Sequence, residues 1–150
     1  MAGVIVCMAP LSGQADREVA PTEGPPQAGA VAKSGDDLAS RLARREVQRS
    51  PSSIPGREIV QVETLIPAGV ESGWHVHPGE EVGYIIAGQV EMMVQGRATV
   101  VLHAGEGFLI PPRTPHNARD LGPETGRMLS TYIVETGQPI ATFVDQPVQR

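Results

Sequence analysis

Within seven positions, His75-Val76-His77-Pro78-Gly79-Glu80-Glu81 holds two histidines and two glutamates. On an extended strand, residues i and i+2 project from the same face, their Cα atoms about 7 Å apart. The imidazoles of His75 and His77 can therefore converge on one metal ion at bonds of about 2.0–2.1 Å, while Val76 points away. The Pro78-Gly79 turn reverses the chain, and a carboxylate opening the next strand at Glu81 can reach the same ion. A third imidazole lies in GEGFLIPPRTPHNARD, where a strand ends at Pro111-Pro112, turns and re-enters at His116. Two histidines alone fit a solvated turn as well as a metal site. With a carboxylate and His116 beside them, the set would leave one or two positions open on a six-coordinate ion, as catalytic metal sites do.

Such a constellation needs strands to position it, and the chain from Arg57 onward supplies them. REIVQVETLIP alternates β-branched with polar residues. EVGYIIAG, QVEMMVQG, RATVVLHAG, EGFLIPP and RMLSTYIVE follow at intervals of about ten residues, closed by glycine or proline. That spacing predicts an all-β barrel or sandwich over residues 56–146, with a last edge strand in GQPIATFVDQPVQR. Residues 34–55 are expected to form a short helix and connector. Ser34 would cap it, Leu38 and Leu42 recur at helical spacing, and SPSSIPG ends it. The basic run RLARREVQR reads as a solvated helical face. Residues 1–33 read as a disordered linker rich in proline, glycine and alanine. Their start, MAGVIVCMAPLSGQA, has a short apolar run but no basic n-region. It is read as an apolar tail, which favours the cytoplasm, with the remnant of an export signal as the alternative.

Composition removes several classes of function. The 12 basic and 17 acidic residues form no basic stripe, which argues against nucleic acid. No apolar run approaches membrane-spanning length. A single cysteine, Cys7, excludes an intramolecular disulfide. Aromatic residues are 3% of the chain, so the core must be built from aliphatic side chains.

At these residues the chain resembles the cupins, a superfamily of small jelly-roll-like β-barrels with two diagnostic motifs. Gly69, His75, His77, Glu81 and Gly88 match the first, G(X)5HXH(X)3-4E(X)6G, position for position. Gly105, Pro111 and His116 match the second, G(X)5PXG(X)2H(X)3N, with Arg113 in place of its glycine and Asp120 in place of its asparagine. The resemblance covers roughly residues 56–145. It implies His75, His77, Glu81 and His116 as ligands of a divalent ion, most often iron or manganese, with nickel, copper, zinc or cobalt in relatives. Spacing to Gly88 selects Glu81 over Glu80, which is expected to face solvent. The resemblance further implies a metal-dependent, dioxygenase-like enzyme acting on a small organic molecule. There Glu81 can detach and accept a proton, and the barrels pair as homodimers.

The alternative function is a non-catalytic module that binds a small molecule or metal; a sugar isomerase or epimerase is a weaker third. Tyr84, Met93, Phe108, Arg113 and Asn117 are the candidates for contacting substrate or supporting the ligands. Met92 and Ile110 are expected in the core, Trp74 at the lip or exterior, and His103 at the surface.

Overall fold

The computed structural model describes Ala30–Val31 and residues 36–148. Eleven strands make up nearly all of its regular structure. They are β1 (Ala30–Val31), β2 (Ala43–Pro51), β3 (Arg57–Ile66), β4 (His75–Val76), β5 (Gly79–Ala87), β6 (Gln89–Val94), β7 (Val100–His103), β8 (Gly107–Ile110), β9 (His116–Asp120), β10 (Gly126–Glu135) and β11 (Thr142–Phe143). One sheet has the order β1-β2-β3-β10-β5-β8 and the other β11-β4-β9-β6-β7, with antiparallel pairing throughout. The expected all-β architecture is what forms. The linker expected over residues 1–33 and the Ser34 cap lie outside the described residues, except that Ala30–Val31 pairs with β2 as a strand.

The helix expected over residues 34–55 does not form. Asp37–Ser40 make a single 3-10 turn, capped by Asp36, whose carboxylate accepts from the Leu38 N–H. The chain then enters β2, which pairs with β3 from Ala43↔Leu65 to Pro51↔Glu58, with a register shift between Glu46 and Gln48. The sheet therefore begins before residue 56. Without β2, the β3 edge would be left without those backbone partners, and that requirement outweighs helix-forming side chains. The arginines of the run also find carboxylates across the sheet, Arg45 on Glu63 and Arg49 on Glu58.

Alternation along the strands builds the interior. On β3 the inward residues run Val60, Val62, Thr64, Ile66, and all four are buried. Val60 and Val62 pack with Tyr132, Val134 and Ile140. Ile66 belongs to a second cluster with Leu42, Ile85, Val90, Met92, Ile110 and Met128. Thr64 separates the two clusters on this strand. The core is thus mostly aliphatic, as its composition requires, with a polar layer inside it.

Candidate metal centre

His75 lies on β4, His77 just beyond it, Glu81 on β5 and His116 at the start of β9. Strand pairing brings them together: His75 is directly opposite His116. Ring centroids are 4.9 Å apart for His75 and His77, 4.1 Å for His75 and His116, and 4.9 Å for His77 and His116. One nitrogen of each ring lies within 4.8 Å of the others, so the three histidines can hold a metal ion. Glu81 Oε2 is 3.0 Å from His77 Nε2 and 3.3 Å from His116 Nε2. All four residues are buried.

The proton positions follow from the second nitrogen of each ring. His75 Nδ1 contacts the Gly73 carbonyl at 2.7 Å, His77 Nδ1 that of Ile140 at 2.6 Å, and His116 Nδ1 that of Thr114 at 2.9 Å. A carbonyl only accepts, so each Nδ1 carries a proton and each ring turns its Nε2 inward, where a neutral ring presents a lone pair. His77 Nε2 and His116 Nε2 are buried and lack a hydrogen-bond partner, since the nearby carboxylate lies off their hydrogen-bond direction. Three inward-facing Nε2 atoms and a carboxylate thus converge on one point. A divalent cation fits that donor set, and fixing each ligand through its outer nitrogen is the usual support of such sites.

Burial and mutual charge act on the titratable groups of the site. Burial, with repulsion from His116 and His77, pushes the His75 imidazole well below its ordinary value, which favours the neutral ring. Burial alone would raise the Glu81 carboxyl; His77 and His116 outweigh it and hold it well below the usual carboxylate range.

Among the other candidates, Asn117 supports the site from behind. Its Oδ1 accepts from Ser72 Oγ at 3.1 Å and from Gly73 N at 2.9 Å. Gly73 in turn offers the carbonyl that orients His75. Tyr84 is on the outward face of β5 and 50% exposed. Met93 is half-buried on the face of β6 opposite Met92. Phe108 is paired with Gly83 and lies where any side chain at that glycine would stand, packed on the larger cluster. None of these three lines the cavity beside the histidines. Arg113 has a φ of 55°, the left-handed conformation that explains a glycine at this motif position, and its N–H donates to the His77 carbonyl. Its guanidinium is at the surface, 2.6 Å from Glu135.

Asp120, the last residue of β9, is buried and accepts from Gly122 N at 2.6 Å in the turn that follows, apart from the candidate ligands. Glu80 faces outward, 3.6 Å from Arg57. His103 is exposed, as expected of a surface residue. Trp74 is half-buried and lines an outer groove with Arg97.

Two residues of the cavity escape sequence reasoning. The space next to His75, Glu81 and His116 is also lined by Arg44, Thr64, Ser72 and Tyr132, and by apolar Leu38, Leu42, Met92 and Met128. Arg44 sits in the run read as a solvated helical face, yet its side chain is 2% exposed. The only signal for it was strand alternation in ARREV, which helix-forming neighbours concealed. Tyr132 sits directly opposite Glu81 on the adjoining strand, and its ring is 4.7 Å from that of His77. Alternation within β10 puts it inside the barrel, but nothing local marks it as polar lining.

A cupin-domain family model matches residues 61–132. With the fold and both motifs, this makes the chain a member of the cupin superfamily. Among curated proteins it is similar to a dimethylsulfoniopropionate lyase, DddQ, from Ruegeria pomeroyi, at 35% identity over 54 residues, or 36% of this chain. That stretch spans only 27% of the lyase's length. The crystal structure of the same lyase superposes with a TM-score of 0.60 at 21% identity, over 79% of this chain and 60% of the lyase. A conserved protein with a double-stranded β-helix domain from Klebsiella pneumoniae gives a TM-score of 0.56 at 24% identity, over 70% and 85% of the two chains. Oxalate decarboxylase from Bacillus subtilis gives 0.52 at 21% identity, over 57% of this chain and 23% of its own. These structural likenesses speak for the fold.

Proposed function

We propose that His75, His77, Glu81 and His116 hold one divalent ion and that the chain is a metal-dependent enzyme acting on a small organic substrate. The observation that carries this reading is the convergence of three buried imidazoles and a buried carboxylate beside one cavity. Iron and manganese are the first candidates, and an imidazole–carboxylate set also accommodates nickel, copper, zinc and cobalt. Manganese gains support from the Mn(II) centres of the oxalate decarboxylase. A bound ion would supply Lewis-acid polarisation of a substrate oxygen and, if redox-active, a route to dioxygen.

The protein's own groups would do the remainder. The three carbonyl contacts keep the imidazoles neutral and aimed, and the apolar walls exclude water. Glu81, the one anionic member of the set, is the group able to detach and accept a substrate proton. A dioxygenase-like reaction is one form of this function. Lewis-acid elimination or decarboxylation is the other, supported by the lyase and decarboxylase among the similar proteins. A homodimer accompanies the proposal: Val82, Tyr84, Ile86 and Leu109 form an exposed apolar patch on β5 and the edge strand β8, which a second copy would cover. Light scattering should therefore give twice the chain mass.

The test of function is metal content in the parent and in His116→Ala, followed by oxygen uptake with candidate substrates. Near one equivalent in the parent and a large loss in the variant is expected. Oxygen consumed with turnover selects the dioxygenase-like form, and turnover without oxygen selects the other. A parent that takes up no redox or Lewis-acidic metal on reconstitution would overturn both.

A further inference from the structure

One polar stretch of the lining beside the candidate ligands is built around a buried arginine. Arg44 Nε donates to Asp36 at 2.7 Å, Nη1 to Thr64 Oγ1 at 3.1 Å and Nη2 to the Tyr132 hydroxyl at 3.2 Å. Asp36 is as buried as Arg44. A guanidinium has five N–H donors, so each terminal nitrogen of Arg44 keeps one to offer. The Tyr132 oxygen accepts from Arg44, and as a phenol it keeps one O–H to donate. The cavity lining therefore combines the acceptors of the candidate ligands with the donors of Arg44 and Tyr132.

Charge sharpens the choice of ligand. Asp36 cancels Arg44, and Glu81 cancels half the charge of a divalent ion. With neutral imidazoles, one positive charge remains in a space shielded from water, where unbalanced charge is expensive. A ligand bearing one negative charge balances it, and a carboxylate matches the planar donors of an arginine. The remaining walls of the cavity are mostly apolar and include Met92, Met128 and Leu42.

We propose that Arg44 and Tyr132 anchor the substrate, and that the substrate class is a small monocarboxylate with a short apolar remainder. This rests on the metal reading above. The geometry assigns Arg44 to one carboxylate oxygen, with the Tyr132 hydroxyl donating beside it, and places the apolar part against the methionines.

The test uses the metal-loaded full chain, with propionate as the probe and propionamide as its uncharged counterpart. Propionate should raise the melting temperature dose-dependently and propionamide should not. Arg44→Lys should weaken propionate at least tenfold while metal content stays at the parent level. Because Asp36 depends on Arg44, Tyr132→Phe is the second variant; it preserves volume and should weaken propionate severalfold. Equal binding of propionamide, or parent-like propionate affinity in both variants, would overturn the assignment. Repeating the titration after chelation separates the two readings. A parent that takes no metal sinks the metal site, whereas an affinity indifferent to Arg44 and Tyr132, with or without metal, sinks this one.

Discussion

The Asn117 side chain hydrogen-bonds Ser72, Gly73 and Glu71 rather than a candidate ligand, yet it holds Gly73, and Gly73 holds the ring of His75. Groups at this remove from a metal change its affinity by about 10–100-fold when removed. Asn117→Ala is accordingly expected to weaken metal binding within that range while the barrel still folds, as read by competition with a chelating dye. The buried His75 carries a second expectation, this one for the chelated protein. Its folded value lies below the ordinary 6.5, so the unfolded chain binds the extra proton first. Stability is therefore full above about pH 6.5 and is lost as pH falls beneath it, by up to about 1.4 kcal/mol per pH unit for this residue. Urea midpoints at pH 7.5 and 5.5, parent against His75→Ala, measure it. A parent midpoint that does not fall would mean that folded His75 is charged.

At the scale of elements, the 3-10 turn and β2 act together. Asp36 caps the turn and pairs with Arg44 on β2, while Asp37 accepts from the Phe143 N–H on β11 at 2.8 Å. The turn thereby sets Leu38, 2% exposed, into the cavity wall. Leu38→Ala should cost about 2–3 kcal/mol, toward the lower end for such truncations because the site already adjoins free space. It should also enlarge the cavity, so that butyrate binds better relative to propionate than in the parent. Thermal melts and ligand titration check the two halves. An unchanged preference would show that another element closes the cavity.

For the whole molecule, the converging ligand atoms imply that a bound cation would stabilise the barrel. Removing one wall of repulsion at a time is not feasible, but supplying the cation is. A metal present at about 100 times its dissociation constant would stabilise the fold by about 2.7 kcal/mol. Calorimetry of the chelated protein with added Mn(II) should show that rise, and His116→Ala should lose most of it. Parent and variant responding alike would place the effect at some other site. Among the described residues no helix is long and apolar enough to cross a membrane.

Much of this protein is legible in its sequence because strands impose a period of two and because ligand spacing is local. His75 and His77 share a face for that reason, Glu81 rather than Glu80 turns inward by the same alternation, and Gly69 and Gly88 frame the motif at turns with positive φ. Arg113 shows the same logic through a departure: the turn demands a left-handed residue, and the arginine adopts it while its charge goes to Glu135. What sequence could not convey was cross-strand choice. Whether SRLARREVQRS coils or extends depends on the β3 edge more than ten residues on, and the extended form turns Arg44 inward. Tyr132 becomes a neighbour of His77 only because β10 lies against β5, some fifty residues away. The spacing of the histidines and Glu81 marks the candidate metal centre in the sequence; the polar lining of Arg44 and Tyr132 beside it exists only in the packed sheet, because distant strands meet there.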